Sequence, residues 1–132
     1  MYGQSFTFGV TPSAQCTSWI SFVAQLTVRP YVLLRLCGSN DPVGVSVTNT
    51  TVIGNIALAL RTSTSLLPVT SNARSWAVDA CGSGYELSAN GATCACSTGY
   101  SIRPCIGNAN WGGINGTTCS ATSQFMTVIF QY

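Results

Sequence analysis

Seven cysteines in a chain of 132 residues constrain the fold of this protein more than any other feature of its sequence. Such a density is typical of proteins that fold in an oxidising compartment and close their structure with disulfide bonds. Five of the seven lie between Cys81 and Cys119, in a segment that is also rich in glycine. The sequence therefore predicts one extracellular, disulfide-stapled domain, with an α/β half at 1–80, a cysteine-rich segment at 81–119 and a closing strand within 122–132.

The chain carries very little charge: five arginines, three acidic residues and neither lysine nor histidine. Charged residues make up 6% of the sequence, against about 25% in an ordinary soluble domain. Little electrostatic repulsion then keeps copies apart, which favours self-association into a homo-oligomer or filament. The arginines are scattered singly, which argues against a nucleic-acid partner. No apolar stretch approaches the roughly 20 residues of a transmembrane helix, and the first residues lack a signal peptide, so secretion implies that the signal has been removed.

Hydrophobic periodicity predicts an α+β fold, with two helices in the N-terminal half packed on a mainly antiparallel sheet. One helix is capped by Ser13, and the other is capped by Thr50 or Thr51 and carries Arg61 near its negative end. A loop rich in serine and threonine is predicted from the second helix to about Arg74. Strands are predicted at 2–10, 31–37, 43–47, around 76–78 and at 124–132.

Each predicted helix has one apolar stripe that is expected to face the core. In the first helix the stripe consists of Cys16, Trp19, Ile20, Val23 and Leu26. In the second helix it consists of Val52, Ile53, Ile56 and Leu60. The two helices are therefore expected to cover the sheet rather than to stand apart from it.

The lengths of the first helix and the following strand predict a disulfide between Cys16 and Cys37. The helix rises about 16 Å from Cys16 to its predicted end near Thr27. The strand from Tyr31 returns by about 20 Å to Cys37. If the two segments run antiparallel, the two cysteines finish side by side.

The sharpest local pattern is Cys94-Ala-Cys96-Ser-Thr-Gly-Tyr-Ser-Ile-Arg-Pro-Cys105. It resembles the carboxy-terminal half of an EGF-like module, in which a Cys-x-Cys pair is followed by glycine and an aromatic residue and then by a last cysteine. The resemblance covers residues 81–105 and implies disulfides Cys96–Cys105 and Cys81–Cys94. A complete EGF module is excluded, because three cysteines precede the Cys-x-Cys pair there and only Cys81 does so nearby here. The calcium-binding spacing of that family is also missing, so no calcium site is expected.

Cys119 is the cysteine left over by these pairings. It is either a buried, inert thiol or a link between two chains. Zinc is the alternative explanation for clustered cysteines, but the segment lacks Cys-x₂-Cys pairs and the chain lacks histidine. The sequence therefore predicts no metal and no cofactor.

The titratable groups needed for catalysis are almost absent. Without histidine there is no Ser-His-Asp or Cys-His arrangement, and a glycosidase-like pair must come from Asp41, Asp79 and Glu86. Asp41 precedes a proline in a turn, where aspartate caps its own backbone. Asp79 and Glu86 can face one another, but ion pairing with Arg74 or Arg103 accounts for them. We therefore expect no catalytic residue and a protein that is not an enzyme.

A glycine-rich loop at 107–116 presents Trp111 among three asparagines. An exposed tryptophan beside amides can stack on a sugar ring and hydrogen-bond its hydroxyls; alternatively, Trp111 folds back and plugs the cysteine-rich region. The three asparagines are Asn108, Asn110 and Asn115. Acceptor sequons for N-glycosylation occur at Asn49 and Asn115.

These features predict a structural or adhesive subunit that self-associates into a fibre, coat or matrix. The segments 2–10 and 124–132 then either complete the sheet of a neighbouring subunit or pair within their own sheet. The first alternative is a lectin-like or receptor-binding module that uses the Trp111 loop to bind a glycan or protein ligand. The second alternative is a secreted toxin or inhibitor.

Overall fold

The computed structural model describes residues 2–7, 12–38, 41–81, 84–89, 99–105, 112–113 and 125–132. The two helices are α1 (Pro12–Ala24) and α2 (Thr50–Thr62). The strands are β1 (Tyr2–Thr7), β2 (Leu33–Gly38), β3 (Asp41–Val47), β4 (Leu66–Ser71), β5 (Arg74–Cys81), β6 (Gly84–Ala89), β7 (Tyr100–Ile102), β8 (Gly112–Gly113) and β9 (Phe125–Gln131). The fold is α+β, with two helices and antiparallel sheets, as the sequence predicts.

The first sheet has the strand order β1-β9-β2-β3, and each of its neighbouring pairs is antiparallel. The apolar strand β9 therefore lies inside the sheet, between β1 and β2, and is not available to another subunit. Alternate residues of β2 and β9 face the core, among them Leu34, Val128 and Phe130, which are fully buried. The opposite face of the sheet is only partly covered, as the half-buried Arg35 and Ile129 show.

The second sheet has the order β4-β5-β6-β7-β8 and is antiparallel throughout. Strand β4 occupies part of the segment predicted to be a loop. It joins β5 through a two-residue turn in which Asn72 and Ala73 both have positive φ, the backbone that twists correctly for a tight hairpin. The β5–β6 hairpin crosses residue 81, so the change of composition at that point does not separate two structural units.

Helix α2 joins the two sheets and follows its sequence pattern closely. Its N-cap is Asn49, whose Oδ1 accepts a hydrogen bond from the Val52 amide, so the prediction of Thr50 or Thr51 as the cap is wrong. The helix ends at Ser63 in the left-handed conformation, with Arg61 in the last turn as predicted. Its buried residues are Ile53, Ile56, Ala57, Ala59 and Leu60.

Helix α1 differs from its prediction at the start and along its apolar stripe. It begins at Pro12, a favoured first residue because proline has no amide hydrogen to leave unpaired there, so Ser13 lies inside the helix and is not its cap. Trp19 and Phe22 are buried and stacked against each other, with ring centroids 5.9 Å apart. Ile20, which was expected to face the core, is 58% exposed.

One hydrophobic core draws on both helices and on strands of both sheets. Helix α2 contacts β2 of the first sheet and β4, β5 and β6 of the second, and α1 contacts α2 and β1. Trp76 is fully buried on the core face of the second sheet, and its indole nitrogen donates to the Ser71 carbonyl oxygen at 3.0 Å. The helices therefore bridge the core faces of the two sheets.

Candidate functional site

The single disulfide whose two partners lie among the described residues is Cys16–Cys105, and it contradicts both pairings predicted for these cysteines. It connects α1 to the turn that follows β7 across 89 residues of sequence. Helix α1 packs on α2 and β1, whereas Cys37 lies near the end of β2 and remains a free thiol. The Cys16–Cys37 pairing is therefore wrong, and so is the Cys96–Cys105 pairing that the EGF-like resemblance implies.

Gly84 permits this disulfide to sit against the second sheet. A Cβ atom at position 84 would lie 2.6 Å from the Cβ of Cys105, which is closer than real Cβ contacts. Cys81, at the end of β5, is also disulfide-bonded, as predicted. Its predicted partner Cys94 lies outside the described residues, as do Cys96 and Cys119.

Cys37 is the one free thiol among the described cysteines, and it is buried. It lies against Gly44 of β3, where an added Cβ would come within 2.7 Å of the Cys37 Cβ. Gly44 has a φ of 66°, so both the backbone and the available space require glycine there. A buried thiol in such surroundings is a packing group rather than a nucleophile.

The Glu86 carboxylate is held in a buried ion pair. Arg103 Nη1 lies 2.6 Å from Glu86 Oε2, and the two side chains are 3% and 0% exposed. The same guanidinium nitrogen donates to Ser101 Oγ at 3.4 Å. Asp79 lies directly opposite Glu86 in the β5–β6 register. The sequence-based expectation that arginine pairing accounts for Glu86 is confirmed.

Asp41 connects the edge of the first sheet to the second. Its Oδ1 accepts from the Gly44 amide at 3.1 Å, so the predicted contact with its own backbone is present, although Asp41 begins β3 and does not lie in a turn. Its Oδ2 accepts from the Tyr100 hydroxyl. The hydrogen bond from Tyr100 holds the pKa of Asp41 below its ordinary value, aided by the Gly44 amide. Burial, followed by the Asp41 contact, raises the pKa of Tyr100 to about 12. The Arg74 guanidinium lies 5.5 Å from the centre of the Tyr100 ring.

Of the predicted ligand-binding loop at 107–116, the described residues are Gly112–Gly113, which form β8. Trp111, Asn108, Asn110 and Asn115 all lie outside the described residues. Asn49, the other sequon asparagine, is exposed and uses Oδ1 to cap α2. Because a glycan attaches to Nδ2, the cap and a glycan at Asn49 are chemically compatible.

The surface of α2 forms two adjoining hollows that the sequence analysis did not find. One is a groove of about 230 Å³ between α2 and the segment 26–29, which follows α1. The other is a shallower hollow of about 440 Å³ between α2 and the start of β4. Asn55 and Leu58 line both. The signal that sequence reasoning passed over is Gly54, a glycine in the interior of a predicted helix.

Comparison with protein-family models, curated proteins and solved structures finds no match for this chain. Among the described residues, neither helix has the length and hydropathy needed to cross a bilayer. In the same part of the chain, no three cysteine or carboxylate side chains come together as a metal-binding group. The edges, grooves and charges of the fold are therefore the features from which a function can be inferred.

Proposed function

We propose that this chain is a non-enzymatic, disulfide-stapled extracellular subunit that assembles with copies of itself into a fibre, coat or matrix. The observation that carries the proposal is the edge strand β1. It pairs with β9 over six consecutive residues without a register shift, and among the described residues it has no neighbour on its other side. It contains neither a proline nor a charged residue. A regular, uncharged edge is a template for pairing with another chain.

The other edges of the two sheets are less suited to this pairing. Strand β3 contains Pro42 and a register shift against β2, and β4 contains Pro68 and a register shift against β5. Proline removes a backbone donor, and a bulge twists an edge away from a partner. Strand β8 has only two residues. Strand β1 is therefore the edge where we expect subunits to join.

The surface chemistry supports association. With 6% charged residues, the chain has little electrostatic repulsion to oppose contact between copies. Several large apolar side chains are nevertheless exposed, among them Val28 at 85% and Leu67 at 84%. Burying such side chains between subunits stabilises an assembly by about 25 cal/mol per Å² of apolar surface.

The contacts of the acidic residues favour a function other than catalysis. Glu86 is neutralised by Arg103 inside the protein, and Asp41 is hydrogen-bonded to Tyr100 and Gly44. Carboxylates held in this way serve the fold, and neither faces a groove on α2. The disulfides of Cys16, Cys81 and Cys105 support an oxidising, extracellular location.

A charge placed on β1 tests the proposal, because like charges on facing edges repel each other. Position 5 lies in the middle of β1, where it pairs with Thr127 of β9, so we choose Ser5→Lys. The matched control is Thr70→Lys, which places the same charge at an exposed position of the edge strand β4. Sedimentation velocity over a hundredfold concentration range reports the assembly state.

We expect the wild-type protein and Thr70→Lys to form larger species as concentration rises, and Ser5→Lys to remain monomeric. A wild-type protein that is monomeric at every concentration contradicts self-assembly. If Ser5→Lys assembles as the wild type does, assembly occurs but β1 is not the contact.

A further inference from the structure

The groove between α2 and segment 26–29 has an apolar floor and a cationic rim. Leu26 and Ala57 are buried beneath it, and the half-exposed Leu58 forms part of its wall. Arg29 and Arg61 also line the groove, and both are exposed. Two of the five arginines in the chain are thus brought to one apolar depression of about 230 Å³.

Gly54 leaves this groove open and lowers the stability of helix α2. Glycine in a helix interior is less stable than alanine, because it loses more backbone entropy on folding. Nothing in the described structure requires glycine here: its φ lies outside the left-handed region, and an added Cβ would find no atom within 4 Å. The missing side chain therefore provides open space above the floor of the groove rather than room for tight packing.

The two arginines have no carboxylate partner among the described residues. Arg61 Nη1 donates to the Leu26 carbonyl oxygen at 3.3 Å, which positions the guanidinium at the groove. The Arg29 guanidinium lies 4.0 Å from the centre of the Tyr132 ring. A guanidinium has five N–H donors, so donors remain available for a ligand in both cases.

The three acidic residues of the chain lie outside this groove. Asp41 contacts Tyr100, Glu86 pairs with Arg103, and Asp79 lies opposite Glu86 in the second sheet. None of them is an exposed residue. A second copy of this chain therefore offers no fully exposed carboxylate side chain to the groove, which favours a different molecule as the source of the complementary charge.

We propose that this groove binds a compact amphipathic carboxylate. Its carboxylate is held by the guanidinium groups of Arg29 and Arg61, which match the planar geometry of a carboxylate. Its apolar body lies over Gly54 against Leu26 and Leu58. The volume is below the 300 to 1,000 Å³ typical of drug-sized ligands, so the ligand is small. The site is separate from β1 and does not depend on self-assembly.

Calorimetric titration with octanoate tests the site, with octanamide as the neutral ligand of the same length. We expect octanoate to bind one equivalent of protein at least tenfold more tightly than octanamide does. Equal affinity for the two ligands, or no octanoate binding at millimolar concentration, would overturn the proposal. Titration of the monomeric Ser5→Lys protein alongside the wild type shows whether octanoate binding depends on self-assembly, so a failure of one proposal can be told from a failure of the other.

Four substitutions, two of them controls, locate the binding. Arg29→Gln should weaken octanoate binding at least fivefold, whereas Arg74→Gln removes the same charge at the distant Tyr100 contact and should leave it unchanged. Gly54→Leu should abolish binding while the protein remains folded, because its Cβ meets open space. Gly54→Ala is the matched control and should raise the melting temperature. If Gly54→Leu binds octanoate with wild-type affinity, the ligand does not lie in this groove. The site is also contradicted if Arg29→Gln and Arg74→Gln weaken binding equally.

Discussion

The two sheets of this protein are stabilised by different interactions. The first sheet relies on strand pairing and on one apolar face, where Leu34 and Phe130 are fully buried, while its other face is partly exposed and carries Arg35. The second sheet is buried on both faces of its central strands, and one of these faces holds the Glu86–Arg103 ion pair. The turn after β7 is also covalently fixed to α1. The first sheet should therefore tolerate the loss of covalent and ionic contacts better than the second.

Removal of the Cys16–Cys105 disulfide is expected to have the largest effect. The bond spans 89 residues, and closing a loop of this length in the unfolded chain corresponds to about 4 to 5 kcal/mol in the chain-entropy estimate. The double variant Cys16→Ala/Cys105→Ala should lose about this much free energy of unfolding in urea denaturation. In native-state hydrogen exchange, the amides of β5 and β6 should lose protection before those of β2 and β9.

The control for this prediction is Cys37→Ala, which removes a buried sulfur without breaking a disulfide. It should cost about 1 kcal/mol, as expected for a small cavity. If both variants lose the same stability, or if the two sheets lose protection together, the disulfide does not distinguish the second sheet from the first.

Removal of one member of the Glu86–Arg103 pair should have the next largest effect. Glu86→Gln leaves a buried guanidinium without its counter-charge, and such a change costs about 3 to 5 kcal/mol. Replacing both partners, as in Glu86→Leu/Arg103→Met, should recover most of this loss because no charge is then left buried. Urea denaturation of Glu86→Leu, Arg103→Met and the double variant gives the coupling energy. A double variant that is no more stable than Glu86→Gln contradicts a stabilising charge pair.

The helices and strands that depend only on a local sequence pattern could be predicted from the sequence. Helix α2 has a regular apolar stripe, and β9 is a long apolar segment, so both appear in the sequence before any tertiary contact is considered. Strand β4 was missed because its two leucines lie in a run of serine and threonine that is typical of a loop. Its hairpin turn carries Asn72-Ala73 instead of the Asn-Gly pair that usually marks such turns.

The disulfide partners and the groove could not be predicted from local sequence pattern. The partner of Cys16 depends on where α1 packs, and that is decided by the shared core rather than by the lengths of α1 and β2. The groove requires segment 26–29 to lie against α2, which is a contact between residues that are distant in sequence. Gly54 was visible in the sequence, but a helical glycine indicates a groove only when the structure shows open space beside it.

The contact between Tyr100 and Asp41 joins the two sheets and should have the smallest effect, one that depends on pH. The pKa of Tyr100 is raised to about 12 in the folded protein, first by burial and then by Asp41. Since this pKa is above the unfolded value of about 10, the contribution is complete below pH 10 and is lost as the pH rises through about 12. For Asp41 the sign is opposite: its pKa is lowered, so its contribution is present above about pH 4 and is lost as the pH falls.

Tyr100→Phe removes the Tyr100 contribution and the largest cause of the lowered Asp41 pKa, while it keeps the buried ring and the Gly44 hydrogen bond. The stability difference between the wild type and this variant, measured by urea denaturation, should be constant from pH 5 to 9 and should shrink above pH 10 and below pH 4. Tyr85→Phe, which removes a phenol from the same sheet, serves as the control and should show no such profile. A difference that stays constant across the whole range means that Tyr100 and Asp41 do not exchange a hydrogen bond. In that case the two sheets are held together by the core and by the disulfide of α1.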